Sequence, residues 1–302
     1  MEIKEAYKIQ VALLLQVLPE VAKEADFALH GGTAINLFVR DMPRLSVDLD
    51  LTYIPIGERA DSLAKIIEAL KRIKANVEAI IPKVHINLVE KTLKLIISSP
   101  IAQIKIEVNQ ANRGVLGTPI EMMLCQRAQD EFYGYTSIKV VSLPQLYGGK
   151  ICAALDRQHP RDLFDIKLLM QHEGFNLAIK EGFLLCLLSS NRPLYEMLDP
   201  NLTDQRHAME NHFEGMSGIP FSYDDFERIR VELIDTVNGS LTEKDKSFLM
   251  SVIKLEPDWK IYDFEKFPAV GWKLENLKKL KEGNSVKYDE LVEALNRVLF
   301  QE

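Results

Sequence analysis

The chain has 302 residues, 47% of them hydrophobic and 27% charged, which suffices for one large or two ordinary soluble domains with a full core. With 37 basic and 44 acidic residues the formal charge is −7, so the chain as a whole exerts no pull on nucleic acid and any RNA contact must come from local basic patches. Cys125, Cys152 and Cys186 lack metal-ligand spacing and read as reduced, buried thiols of a cytoplasmic protein. Met1-Glu2-Ile3-Lys4-Glu5 has no signal-peptide pattern, and no apolar run, Phe183 to Leu188 included, approaches membrane-spanning length.

In chain order, Glu2 to Glu24 has amphipathic helical spacing through Val11, Leu14, Leu15, Leu18 and Val21, and Pro19 predicts a kink or break just before it. Phe27-Ala28-Leu29 reads as a short buried strand. Gly31 and Gly32 then form a turn into a helical pattern from Thr33 to Arg40. Such a turn presents free backbone N–H groups and the positive end of a helix dipole to a phosphate, although two glycines serve more often as plain punctuation.

After a loop with Pro43 and Arg44, Val47 to Ile54 alternates as a strand does. Residues two apart on a strand share a face, which sets Leu49, Leu51 and Tyr53 on one side and Asp48 and Asp50 on the other. Two carboxylates at that spacing repel unless a cation lies between them, and Mg²⁺ is held by a few carboxylates together with substrate phosphates. The plain alternative is an edge strand with an acidic face.

Glu58 to Ile81 is a second long helix pattern, stopped by Pro82. Val84–Glu90, Thr92–Ser99 and Ile101–Gln110 read as three successive strands, with tight connections at Lys91 and Pro100. The last of them carries Glu107 between Ile106 and Val108, the best candidate for the third carboxylate of a two-metal site. Ile120 to Phe132 fits helix and strand equally, and Val140-Val141 is a short extended piece. Ser142 is placed to cap a helix that has Pro144 in its first turn and runs through Arg157. Another helix follows from Arg161 to His172, and from Phe175 onward nearly everything reads helical.

Lys150 and Arg157, seven apart, share a helix face with the small Ala153 and Ala154. Beyond Pro160, Arg161, Asp162 and Asp165 fall on the first turn and a half of the next helix, where acids also suit the helix dipole and Asp162 has equal claim to be a cap. The expected fold class is α+β: a mixed sheet with flanking helices over residues 1–140, followed by a helical region over 141–302 that completes the active site.

Gly31-Gly32-Thr33 followed by Ser46-Val47-Asp48-Leu49-Asp50 resembles the opening motif of the DNA polymerase β-like nucleotidyltransferases. Together with the Lys150–Asp165 block and Phe267-Pro268-Ala269-Val270-Gly271-Trp272-Lys273, the chain resembles the AbiEii/AbiGii toxins of bacterial toxin–antitoxin and abortive-infection systems. The resemblance implies a nucleotidyltransferase fold and transfer of NMP from an NTP to an acceptor, the tRNA 3′ end being favoured, with translation blocked. Protein or small-molecule acceptors, or NTP binding without turnover, are the alternatives. It implies Mg²⁺ at Asp48 and Asp50 with Glu107 as further ligand or base. It also implies a triphosphate cradled by Gly31, Gly32, Thr33 and Ser46, phosphate charge met by Lys150 with Arg157, and an essential acid at Asp165. A cognate antitoxin encoded nearby is implied as partner. In certain relatives a kinase-like antitoxin phosphorylates the position of Ser46, two before Asp48, and a dianion there would oppose nucleotide binding. For RNA, the basic groups in view are Arg113, Arg127, Arg157, Arg161 and the Lys273, Lys278, Lys279, Lys281 run, which is equally a solvated helix face.

Overall fold

The computed structural model describes residues 3–300; Glu2, where the first helical pattern begins, lies outside the described residues with Met1, Gln301 and Glu302. The chain divides into two compact units, residues 1–146 with 213–220 and residues 147–212 with 221–302.

The first unit is built on a seven-stranded mixed sheet. Its strands are β1 (Phe27–His30), β2 (Asp48–Tyr53), β3 (His85–Val89), β4 (Lys94–Ser98), β5 (Gln103–Val108), β6 (Ile120–Met123) and β7 (Ser137–Val140). Their spatial order is β3-β4-β5-β2-β1-β7-β6, with β1·β7 and β2·β5 parallel and the other pairs antiparallel. Period-two patterning sends Leu49, Leu51, Ile104, Ile106 and Val108 into the core, each nearly or fully inaccessible to solvent. Helix α1 (Glu5–Ala22) packs on β5 and β7, α3 (Arg59–Ile80) packs on β3 and β4, and the two helices touch each other.

No break occurs at Pro19: α1 runs through it to Ala22. A proline costs one backbone hydrogen bond, but Val11, Leu14, Leu15, Leu18 and Val21 are all buried and hold the turn against the sheet. The ambiguous Ile120–Phe132 stretch holds both kinds of structure, β6 and then α4 (Gln126–Phe132). Helix α2 (Gly31–Ala34) follows β1 directly and widens into a π-helical stretch over Ile35–Val39.

Residues 213–220 return to the first unit and tie down the segment ahead of β2. Leu45 N–H donates to the Met216 carbonyl (2.8 Å), Arg44 bridges to Ser217, and Ser217 Oγ donates to the Pro43 carbonyl (2.8 Å). Lys4 N–H donates to the Gly215 carbonyl (2.9 Å).

Helix α5 (Leu143–Arg157) spans the division, with the Ser142 hydroxyl at its start donating to the Leu116 carbonyl (2.5 Å). The second unit is helical: α6 (Pro160–Gln171), α7 (Leu177–Ser189), α8 (Leu194–Leu198), α9 (Arg206–His212), α10 (Tyr223–Ser240), α11 (Glu243–Ile253), α12 (Pro268–Gly283) and α13 (Ser285–Phe300). Helices α5 and α7 approach backbone to backbone, since a Cβ at Gly148 would lie 2.3 Å from the Gly182 carbonyl carbon. Ser222 with Asp225 and Thr242 with Asp245 form capping boxes that start α10 and α11. The buried Lys180 ammonium meets Asp245 at 2.6 Å, where Tyr262 also donates its hydroxyl (2.5 Å). Among the described residues no helix is long and apolar enough to cross a membrane.

Candidate active site

The antiparallel pairing of β1 with β2 brings His30 opposite Asp50, so the turn that leaves β1 sits over the start of β2. Gly31 has φ +75°, a conformation that favours glycine, and a Cβ there would lie 2.5 Å from Asp50 Oδ2. A Cβ at Gly32 would meet the Arg44 guanidinium at 2.8 Å and Ser46 Oγ at 3.1 Å. The two glycines therefore let the backbone lie directly against the side chains that surround it, at positions where any other residue would fill the space.

Thr33 is buried, and its hydroxyl donates to the Asp48 carbonyl (2.5 Å) with Ser46 Oγ 2.9 Å away. Its hydroxyl thus fixes the backbone of the first aspartate. Asn36 Nδ2 donates back to the Gly32 carbonyl (2.9 Å), and buried Arg44 donates to the Leu45 carbonyl (2.9 Å). Asp48 and Asp50 are half-buried on the sheet face opposite the apolar side chains of β2.

In the parallel pair β2·β5, Asp48 aligns with Lys105 and Asp50 with Glu107. Across the antiparallel pair β4·β5, Lys94 aligns with Glu107. Lys94 Nζ lies 3.1 Å from Glu107 Oε1, and Lys105 Nζ lies 3.3 Å from Glu107 Oε2. Burial works against the Lys105 charge, yet Asp48, Glu107 and Asp50 together hold its pKa above the ordinary lysine value. Among the described residues no three His, Cys, Asp or Glu side chains are arranged to hold a metal by themselves.

Lys150, Arg157 and Asp165 belong to the second unit, in a cluster of their own. Lys150 Nζ contacts Asp162 Oδ1 (2.7 Å) and Asp165 Oδ2 (3.0 Å), all three side chains being at most 5% exposed. Arg157 grips Asp162 through Nε (2.6 Å) and Nη2 (3.1 Å). Burial alone would raise the Asp162 pKa, but the neighbouring Lys150 and Arg157 hold its carboxyl far below the usual carboxylate range. Asp162 is therefore no cap: His159 takes that place, its Nδ1 accepting from Arg161 N–H (3.1 Å). Burial and the Arg161 charge lower the His159 pKa to about 4, which leaves the ring neutral and able to accept.

Sequence reasoning missed Arg44, Lys94 and Lys105, and left Asp162 open between a cap and a site residue where the structure has a double ion pair. The i, i+2 spacing from Lys105 to Glu107 was the one available signal, since it puts both on one strand face. Arg113 is not a surface cation: it is 5% exposed, with Nη1 3.5 Å from the Gly57 and Glu58 carbonyls. Lys273 is turned back on the protein, donating to the Arg192 carbonyl (3.0 Å).

The mixed sheet, with its Gly-Gly turn seated against the Asp50 carboxylate of a neighbouring strand, agrees with the nucleotidyltransferase resemblance of the sequence. The fold agrees: MenT4, the nucleotidyltransferase toxin Rv2826c from Mycobacterium tuberculosis H37Rv, matches with a TM-score of 0.64, covering 90% of this chain and 93% of its own at 12% identity. The family model for the nucleotidyl transferase AbiEii toxin of type IV toxin–antitoxin systems matches residues 12–276, and the chain belongs to that family. No curated protein sequence matches it. It is thus a nucleotidyltransferase toxin, and membership implies an NTP substrate and an antitoxin partner.

Proposed function

We propose that this toxin transfers NMP from an NTP to the 3′ end of tRNA, using Mg²⁺ held by Asp48 and Asp50, and so blocks translation. The observation that carries the catalytic part is the seating of Gly31 on the Asp50 carboxylate while Thr33 pins the Asp48 carbonyl. The turn that offers N–H groups to phosphates and the strand that offers two carboxylates to a cation are thereby one rigid piece. The residues fit the ion, since both carboxylates share one half-buried face. When bound, Mg²⁺ neutralises phosphate charge and stabilises the oxygens around the reacting phosphorus.

In the reaction the acceptor hydroxyl oxygen forms a bond to the α-phosphorus, the bond to the β-phosphate oxygen breaks, pyrophosphate leaves and the hydroxyl proton passes to a base. The protein's share is positioning and charge. Gly31 and Gly32 leave room for the triphosphate, Ser46 lines the same turn, and Lys150, Arg157 and Asp165 supply the further charged groups that the family resemblance assigns. The tRNA acceptor rests on that resemblance.

The test is incubation of the purified protein with Mg²⁺, each α-labelled NTP in turn and total RNA, beside Asp48→Ala. Label in a tRNA-sized band with the intact protein alone supports the reading and names the nucleotide. Absence of label in RNA with every NTP rejects the tRNA acceptor and turns the search to proteins and small molecules.

A further inference from the structure

The third carboxylate of the acidic sheet face is already taken. Glu107 lies one strand away from Asp50 in direct register, where a second metal ligand belongs, and all three acids project from the same face. Each of its two oxygens nevertheless has its own ammonium, Lys94 on Oε1 at 3.1 Å and Lys105 on Oε2 at 3.3 Å. These lysines are placed by pairing: Lys105 is the in-register partner of Asp48, and Lys94 the in-register partner of Glu107 from the other side. Glu107 is thus flanked by cations on its own strand and on the next one.

A carboxylate in that position would ligate a divalent ion with two ammonium groups standing beside the ion, like charge against like charge. Consistent with this, Glu107 does not converge with Asp48 and Asp50 into a three-acid set among the described residues. The half-exposed stems of Lys94 and Lys105 show that neither is needed to fill the core.

We propose that Lys105, backed by Lys94, stands where a second cation would stand, so that Asp48 and Asp50 carry a single divalent ion and Glu107 anchors the lysines. Lys105 is then a positioning residue: it balances the outer charge of the acidic face and keeps Glu107 away from the metal. The inference rests on the reading that Asp48 and Asp50 hold the ion.

Counting metal tests it. Mn²⁺ is titrated by electron paramagnetic resonance into the full-length protein with a non-hydrolysable NTP analogue, with circular dichroism as the check on folding. The wild type and Glu107→Gln are expected to bind one Mn²⁺ per chain in all, the ion that Asp48 and Asp50 share with the phosphates of the bound analogue. The Lys94→Met/Lys105→Met double variant, which keeps the methylene stems and frees Glu107, is expected to bind two. Adding Glu107→Gln to the double variant returns the count to one. Two ions in the wild type, falling to one in Glu107→Gln, would overturn the proposal and make Glu107 a ligand. A double variant that stays at one overturns the role given to the lysines. No Mn²⁺ in the wild type, unchanged by Asp48→Asn, rejects the ion at the Asp pair and this inference with it.

Discussion

The two charged clusters of this toxin are built on opposite plans. On the sheet face of the first unit Asp48, Asp50 and Glu107 stand with Lys94 and Lys105, all of them partly open to solvent. In the second unit Lys150 and Arg157 face Asp162 and Asp165, the charges cancel, and the contacts of Lys150 are closed off from water. A half-buried face with two carboxylates side by side and open to solvent can take a cation. A balanced buried cluster is complete and holds the chain that carries it. Substitutions of the Asp pair in the first cluster should therefore cost activity, and loss of Asp162, which the proposed site does not use, should cost stability.

The largest effect is expected from Asp48→Ala, with nucleotidyl transfer falling by on the order of 10²–10³-fold or more, the scale for losing a preorganised electrostatic group. Its melting temperature should hold or rise, because a like-charge repulsion disappears; a clear fall in melting temperature would break the contrast. Asp162→Asn should do the reverse in stability, costing about 3 kcal/mol, the low end for a broken buried pair because Asp165 still meets Lys150. Calorimetric unfolding measures it, and a melting temperature within a degree of wild type would show that the buried cluster holds nothing. Gly31→Ala puts a Cβ 2.5 Å from Asp50 Oδ2 at a positive φ, and a strain of about 1–3 kcal/mol is expected together with loss of transfer. An active, equally stable Gly31→Ala would detach the turn from the site.

The smallest effect is one of pH. The folded His159 pKa of about 4 lies below the ordinary imidazole value, so the unfolded chain takes up the proton first. The stability this group contributes is complete above about pH 6.5 and declines as pH falls toward 4, by about 1–2 kcal/mol once its partial exposure is allowed for. His159→Asn retains a side-chain acceptor for Arg161 N–H and should flatten the fall in melting temperature between pH 7 and pH 5. An unchanged slope would place the pH sensitivity elsewhere.

Local features of this molecule were open to reading, and cross-strand ones were not. Alternation marked β2 and assigned Asp48 and Asp50 to one face because strand geometry allows nothing else. The same logic found Glu107, but the ammonium from Lys94 reaches it through a pairing that spacing along one strand does not reveal. Ile120–Phe132 fitted helix and strand because it contains one of each. Pro19 pointed to a kink or a break, and burial of the flanking leucines and valines carries the helix through without a break. Asp162 carries the local signature of a helix start, and only the fold shows Lys150 and Arg157 closing on it.

The return of residues 213–220 to the first unit has a consequence for the order of synthesis. Arg44 and Leu45, which lead into the Asp48 strand, take their backbone partners from Met216 and Ser217, more than 170 positions later. A chain emerging from the ribosome therefore exposes the whole seven-stranded sheet sequence while the clasp on the segment ahead of β2 is still unmade. The second unit's residues 147–212 must be translated before that clasp can close. The backbone partners of Arg44 and Leu45 thus come into being only when nearly three quarters of the chain has been made.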